Sequence, residues 1–185
     1  MKIFSFDAKT VGLCRKPFAI AAIVYENGIE TARFFVRREL TETETRFAKT
    51  QVFDNFSLVE NITVCDSFSC VESYETMLTN FANFYKTHKQ DAECICHMGT
   101  NILEAYILRE MHKLGMIDDS YIPYPLYDVS NNLQQAGENP VSVDEYAKKY
   151  KLKVTDYGTI HNPLYDSEVA AKVYMHLNNN LKLKK

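Results

Sequence analysis

The chain has no apolar run of the length a membrane span needs, no surplus of basic residues and no paired-cysteine motif, and each absence removes a class of function. A bilayer-crossing helix takes about 20 consecutive apolar residues, and no segment approaches that. The opening MKIFSFDAKT reads as a first strand and not as a secretory leader, so the expected location is cytoplasmic. A formal net charge of −3 and a pI near 6.0 argue against a large basic surface that grips nucleic acid through many phosphates, while leaving room for a small contact. The five cysteines are odd in number and include no CxxC pair, which fits reduced thiols better than a disulfide framework. Cys94-Ile95-Cys96-His97 has a spacing that metal sites use, yet its apolar setting suits a buried strand in which cysteine acts as a small hydrophobe. Neither an internal repeat nor a low-complexity linker is present.

What is there fits one domain over residues 1–185. A hydrophobic fraction of 46% and a charged fraction of 24% are ordinary for a globular chain, and 185 residues can bury a continuous core without staples. Lys182, Lys184 and Lys185 read as a frayed, solvated basic end.

Strands come first. Ile3, Phe4 and Phe6 mark a central strand, and if it extends far enough Asp7 and Lys9, two apart, point to the same face. PFAIAAIVY is apolar on both faces, and Asn27-Gly28 turns it into a more polar third strand over residues 29–38, the candidate edge. A helix is expected within residues 39–56. Ser69-Cys70-Val71-Glu72 has the capping-box pattern, ahead of an aromatic stripe from Tyr74 to Tyr85 at helical spacing. That stripe reads as core.

Residues 92–97 form a short buried strand, after which Thr100 or Asn101 caps a helix closed by Gly115. Glu104 lies on the same face as Ile107, Leu108 and Met111. It is either an acid at the rim favoured by the helix dipole or an inward carboxylate that needs a cation, a metal or a peptide N–H. A short helix follows Asp128 and ends at Gly137, and Ser142 opens another. Asn162 and Pro163 start the last helix, with Val169, Ala170, Val173, Tyr174 and Leu177 as its buried stripe. Asp166 falls in its first turn and His161 just outside. Either the two face one small volume, or the acid answers the dipole beside an incidental histidine.

These elements, with acids at a strand end and at two helix starts, resemble the DEDDh-type, DnaQ-like 3′-to-5′ exonucleases of ribonuclease-H-like fold, over nearly the whole chain. Phe6-Asp7-Ala8-Lys9-Thr10-Val11-Gly12-Leu13 resembles the family's first motif, F-D-x-E-T-x-G-L, and HMGTNILEAYIL its second, with Glu104 for the usual aspartate. Tyr127-Asp128 resembles its intermediate strand-to-helix segment, and His161-Asn162-Pro163-Leu164-Tyr165-Asp166 its third motif. The resemblance implies an α/β domain with a mixed five-stranded sheet, antiparallel in its first three strands and then parallel, with helices on both faces. It implies Asp7, Glu104 and Asp166 as ligands of Mg2+ or Mn2+, and His161 as general base. Thr10, Gly12, Leu13 and Asn101 are placed beside the substrate, a single-stranded DNA or RNA 3′ end.

The departure is Lys9, where the family carries a second strand carboxylate. At about 4 Å and an effective dielectric near 20, unit charges interact by roughly 4 kcal/mol, so exchanging attraction to a divalent ion for repulsion moves the balance by several times that. Lys9 pairs with Asp7 or Asp166, or swings into solvent and leaves a weak one-metal site. The expected function is therefore 3′-to-5′ exonuclease chemistry impaired by Lys9, with an inactive nuclease-fold module that binds nucleic acid or protein as the alternative and a structural subunit as the third. Oligomeric state is left open, a homo-oligomer included; no membrane partner is expected.

Overall fold

The computed structural model describes residues 1–12, 16–50, 68–99, 103–155 and 162–182. Its centre is β1 (Lys2–Thr10), paired antiparallel with β2 (Pro17–Glu26), which pairs antiparallel with β3 (Ile29–Arg38). Asn27 and Gly28 both take positive φ, 52° and 84°, the backbone that a two-residue hairpin matching the strand twist requires. After α1 (Glu42–Thr50), strand β4 (Phe68–Val71) runs parallel to the end of β3, from Phe35↔Phe68 to Arg38↔Val71.

Helix α2 (Tyr74–His88), β5 (Glu93–Cys96), α3 (Glu104–Lys113), a 3-10 turn (Asp119–Tyr121), β6 (Tyr127–Asp128), α4 (Val129–Gln135), α5 (Val143–Lys149) and α6 (Pro163–Lys182) complete the described elements. The strand order is β4-β3-β2-β1-β5-β6. The sheet therefore has six strands, not the five expected. Residues 68–71 show no alternation of their own and are strand because β3 offers them an unpaired edge. The same finding corrects two local readings. The cap of α2 is Ser73, whose side chain accepts from Thr76 N–H at 3.0 Å, and not Ser69; and β3 is covered over its last four residues instead of lying at the edge.

Period-two alternation along β1 divides the core. Phe4, Phe6 and Ala8 share one cluster with Met77, Leu78, Phe81 and Tyr85 of α2 and Ile107, Leu108 and Met111 of α3. Ile3 joins the other, with Ala19, Ala21 and Ile23 of β2 and the expected α6 stripe. The aromatic stripe of α2 is thus core, as read: Phe4 meets Phe81, Phe84 and Tyr85 at centroid distances of 6.4, 5.9 and 5.1 Å. Among the described residues no helix is long and apolar enough to cross a membrane.

Where α6 crosses β1, small side chains let the backbones approach. Ser5 Oγ donates to the Ser167 carbonyl at 2.7 Å, while Ser167 Oγ lies 2.7 Å from the Pro163 carbonyl and 3.3 Å from that of Ala21 in β2. The start of α6 is fixed as the sequence reads: Asn162 Oδ1 accepts from Leu164 N–H at 2.9 Å, and the Asn162 carbonyl accepts from Asp166 N–H at 2.9 Å.

Candidate functional site

Because odd-numbered β1 residues face α6, Asp7 and Lys9 emerge beneath its first turn, and the crossing at Ser5 and Ser167 holds Asp166 above them. Lys9 Nζ lies 2.7 Å from Asp7 Oδ2 and 2.6 Å from Asp166 Oδ2. Of the open choices for Lys9, it therefore takes both carboxylates at once, so the two acids share a space one cation wide. Glu104 enters from the other face of β1. It is 3% exposed, and its Oε1 accepts from Ala8 N–H, between Asp7 and Lys9, at 3.0 Å. The inward reading of Glu104 holds, with a peptide N–H as partner.

Gly99 makes room for this arrangement, since a Cβ there would overlap the Glu104 carboxylate. The helix itself begins at Glu104 with Leu103 in the cap position and no side-chain cap bond; Thr100 and Asn101, the caps read from sequence, lie outside the described residues. His161 and Leu13 also lie outside them. Thr10 ends β1 opposite Pro17, past a register shift, and Gly12 lies two residues beyond it.

Asp128 sits at the neighbouring strand end, where Oδ1 accepts from Ser130 N–H at 3.0 Å, Ser130 Oγ at 2.7 Å and Met98 N–H at 2.9 Å. It caps α4 as read, and it also ties down the chain just after β5. Cys94 and Cys96 are buried in β5, and the His97 Nε2–H donates to the Pro140 carbonyl at 3.0 Å, so the C-x-C-H run is core and loop anchor.

Two further residues escaped the sequence reading. One is Gly99, whose only signal was a lone glycine before a helix start. The other is Glu168, fully buried, whose carboxylate accepts from Thr155 N–H at 2.9 Å and from Thr155 Oγ1, and pairs with Lys172 Nζ at 2.7 Å. It pins the segment before residue 156 to α6, and nothing in its local pattern distinguished it from a surface acid.

The electrostatics follow from burial. Burial raises the Asp7 carboxyl above the usual range; the Lys9 ammonium pulls it back and Asp166 pushes it up again. For Lys9, burial opposes the charge, but the Asp7 and Asp166 carboxylates outweigh it and hold the ammonium protonated. Glu104 is raised from 4.5 to about 8, by burial first and by the Asp7 charge second.

A raised acid retains in the fold a proton that the unfolded chain has released, so its contribution to stability falls as pH rises from about 4.5 to about 8 and levels off above. Glu104→Gln, which keeps an oxygen for Ala8 N–H and cannot ionise, is expected to flatten that slope and to exceed wild type in stability above pH 8. Thermal melts across this window check it; a variant that tracks wild type at every pH contradicts the assignment.

The fit to a divalent ion can be tested directly. Magnesium wants about six oxygens at roughly 2.0–2.1 Å. Here the Lys9 ammonium lies between Asp7 Oδ2 and Asp166 Oδ2, in the space an ion held by both would occupy. Among the described residues no three His, Cys, Asp or Glu side chains gather as metal ligands. With Lys9 in place, the residues do not fit Mg2+ or Mn2+.

The chain is similar in fold to a solved structure of exonuclease X in complex with 5′ overhanging duplex DNA, with a TM-score of 0.50 and 16% identity over 96% of this chain and 92% of that one. At that identity the likeness is one of fold. No protein-family model matches the sequence, and no curated protein sequence matches it.

Proposed function

We propose that this protein is a nucleic-acid-binding module built on the exonuclease fold, with its cleavage centre closed by Lys9. The observation that carries this reading is the ammonium held 2.7 Å from Asp7 and 2.6 Å from Asp166. In phosphoryl chemistry run by divalent ions, the charge between such carboxylates polarises the phosphate and lowers the pKa of water. A tethered ammonium with one charge, already satisfied by two carboxylates, does neither. Support for nucleic acid as the ligand comes from the motif order along the chain and from the fold likeness to an exonuclease seen with DNA. The ligand on this reading is a single-stranded 3′ end, DNA or RNA.

A second reading is favoured by Asp7 and Asp166 meeting at one ammonium, with Glu104 bonded to the Ala8 N–H between Asp7 and Lys9. It is a working 3′-to-5′ exonuclease in which Lys9 swings into solvent, the three acids hold Mg2+ or Mn2+, and His161 is the base. The two readings separate on 3′-labelled single-stranded DNA and RNA. The first expects no cleavage in either metal, with binding by fluorescence anisotropy undiminished in chelator. Magnesium-dependent cleavage abolished by Asp166→Ala, and slowed about 100-fold or more by His161→Ala as for loss of a general base, establishes the second and rejects the first. Absence of binding in both buffers removes nucleic acid from the reading.

A further inference from the structure

One residue before Asp166, the Tyr165 side chain serves a different space. It lines a cavity of about 410 Å³ between α5, residues 151–155 and the start of α6, within the roughly 300–1,000 Å³ that small-ligand sites occupy. Ala147, Leu152 and Val154 supply apolar walls and Tyr165 an aromatic one. Tyr165 OH donates to Asp144 Oδ1 at 2.8 Å, which holds the ring in one orientation and occupies an oxygen of the acidic group in the lining.

The cations are placed by the end of α5. Lys151 adopts φ 52°, a left-handed conformation uncommon outside glycine and asparagine. Lys151 N–H donates to the Lys148 carbonyl at 3.2 Å, and Leu152 N–H to the Ala147 carbonyl at 2.9 Å, closing the helix and setting Lys148 and Lys151 in the same lining. Nearby lysines are committed elsewhere: Lys149 pairs with Glu138 at 2.7 Å and Lys172 with Glu168 at 2.7 Å. Lys148 and Lys151 have no anionic partner among the described residues.

Two lysines without an anionic partner among the described residues, in one lining with a fixed aromatic ring and apolar walls, match a molecule with an anionic end and a flat, apolar-faced body. We propose that this cavity binds a nucleoside monophosphate unit, its phosphate at Lys148 and Lys151 and its base against Tyr165, Leu152 and Val154. The choice of a nucleotide over other aromatic anions rests on the proposed function above. The unit is either a free mononucleotide or part of a strand, and the two sources give different experimental results.

The test uses the full chain, a nucleoside 5′-monophosphate by calorimetry and a labelled single-stranded oligonucleotide by anisotropy. Lys148→Glu/Lys151→Glu is compared with Lys86→Glu/Lys113→Glu, which makes the same change of charge on α2 and α3. Thermal melts verify that the variants fold. The expected result is binding of both probes weakened at least about tenfold by the cavity variant, the scale of one lost charge-assisted hydrogen bond, and much less by the control. Displacement of the oligonucleotide by the mononucleotide assigns the cavity to a strand; mononucleotide binding without displacement assigns it to the free ligand. Unchanged binding in the cavity variant, or equal loss in the control, overturns the cavity while leaving oligonucleotide binding intact. Mononucleotide binding that depends on the two lysines, in a protein that binds no oligonucleotide, overturns the proposed function and leaves the cavity standing. Wild-type protein that binds neither probe overturns both.

Discussion

Lys9→Glu is expected to open the closed centre and produce the largest functional change available from one substitution. The variant replaces an ammonium lying 2.7 and 2.6 Å from two carboxylates with a further carboxylate on the same strand face. Without metal, Asp7 and Asp166 then face a third acid where they had a cation, each unit-charge pair costing up to roughly 4 kcal/mol at about 4 Å and a dielectric near 20, so the variant should melt well below wild type in chelator. Mn2+ or Mg2+ should restore it, since a ligand at a hundred times its Kd adds about 2.7 kcal/mol to the folded state. Wild type should show no such metal-dependent shift. On 3′-labelled single-stranded DNA and RNA the variant should gain metal-dependent hydrolysis, by orders of magnitude over a silent wild type, and Asp166→Ala in the same background should remove it. A variant that binds metal but stays silent would show that more than Lys9 separates this chain from a nuclease. One that neither binds metal nor melts differently in chelator would show that the acids do not form a common centre at all.

Gly99→Ala is expected to be strongly disruptive for so small a change. The added Cβ overlaps the Glu104 carboxylate, which is buried and cannot move aside without leaving Ala8 N–H. Overpacking costs about 1–3 kcal/mol and an orphaned buried donor about 1–3 kcal/mol more, so a loss of about 2–6 kcal/mol is expected by denaturant unfolding. The cause can be isolated by a double-mutant cycle. In a Glu104→Ala background the overlapping atoms are gone, and most of the cost of Gly99→Ala should vanish as a coupling energy. Additive losses would mean that Gly99 is needed for its backbone and not for the space it leaves.

The residues that reported themselves in the sequence did so through short-range physics. The Asn27-Gly28 hairpin, the caps at Asp128, Ser142 and Asn162, the stops at Gly115 and Gly137, and the apolar stripes of α2, α3 and α6 each depend on neighbours within a few positions along the chain. Alternation along β1 placed Asp7 and Lys9 on one face, and the resemblance named Glu104 and Asp166 as the acids that meet them. The antiparallel run of the first three strands and the shared face of Asp7 and Lys9 were legible for that reason.

What only the tertiary structure decided depends on groups brought together from far apart. Residues 68–71 are a sixth strand because the end of β3 offered unpaired backbone, not because of any pattern of their own. Glu104 meets a peptide N–H ninety-six residues away, which no local rule predicts. Lys9 has a long stem with many rotamers, and its choice of both Asp7 and Asp166 over solvent follows from Ser5 and Ser167 holding α6 close above β1. The sequence by itself determined that Asp7 and Lys9 share one face of β1 and that Asp166 falls in the first turn of α6. The packing of α6 on the sheet decided that they neutralise one another there, because the energy of an ion pair depends on a distance that only the folded chain sets.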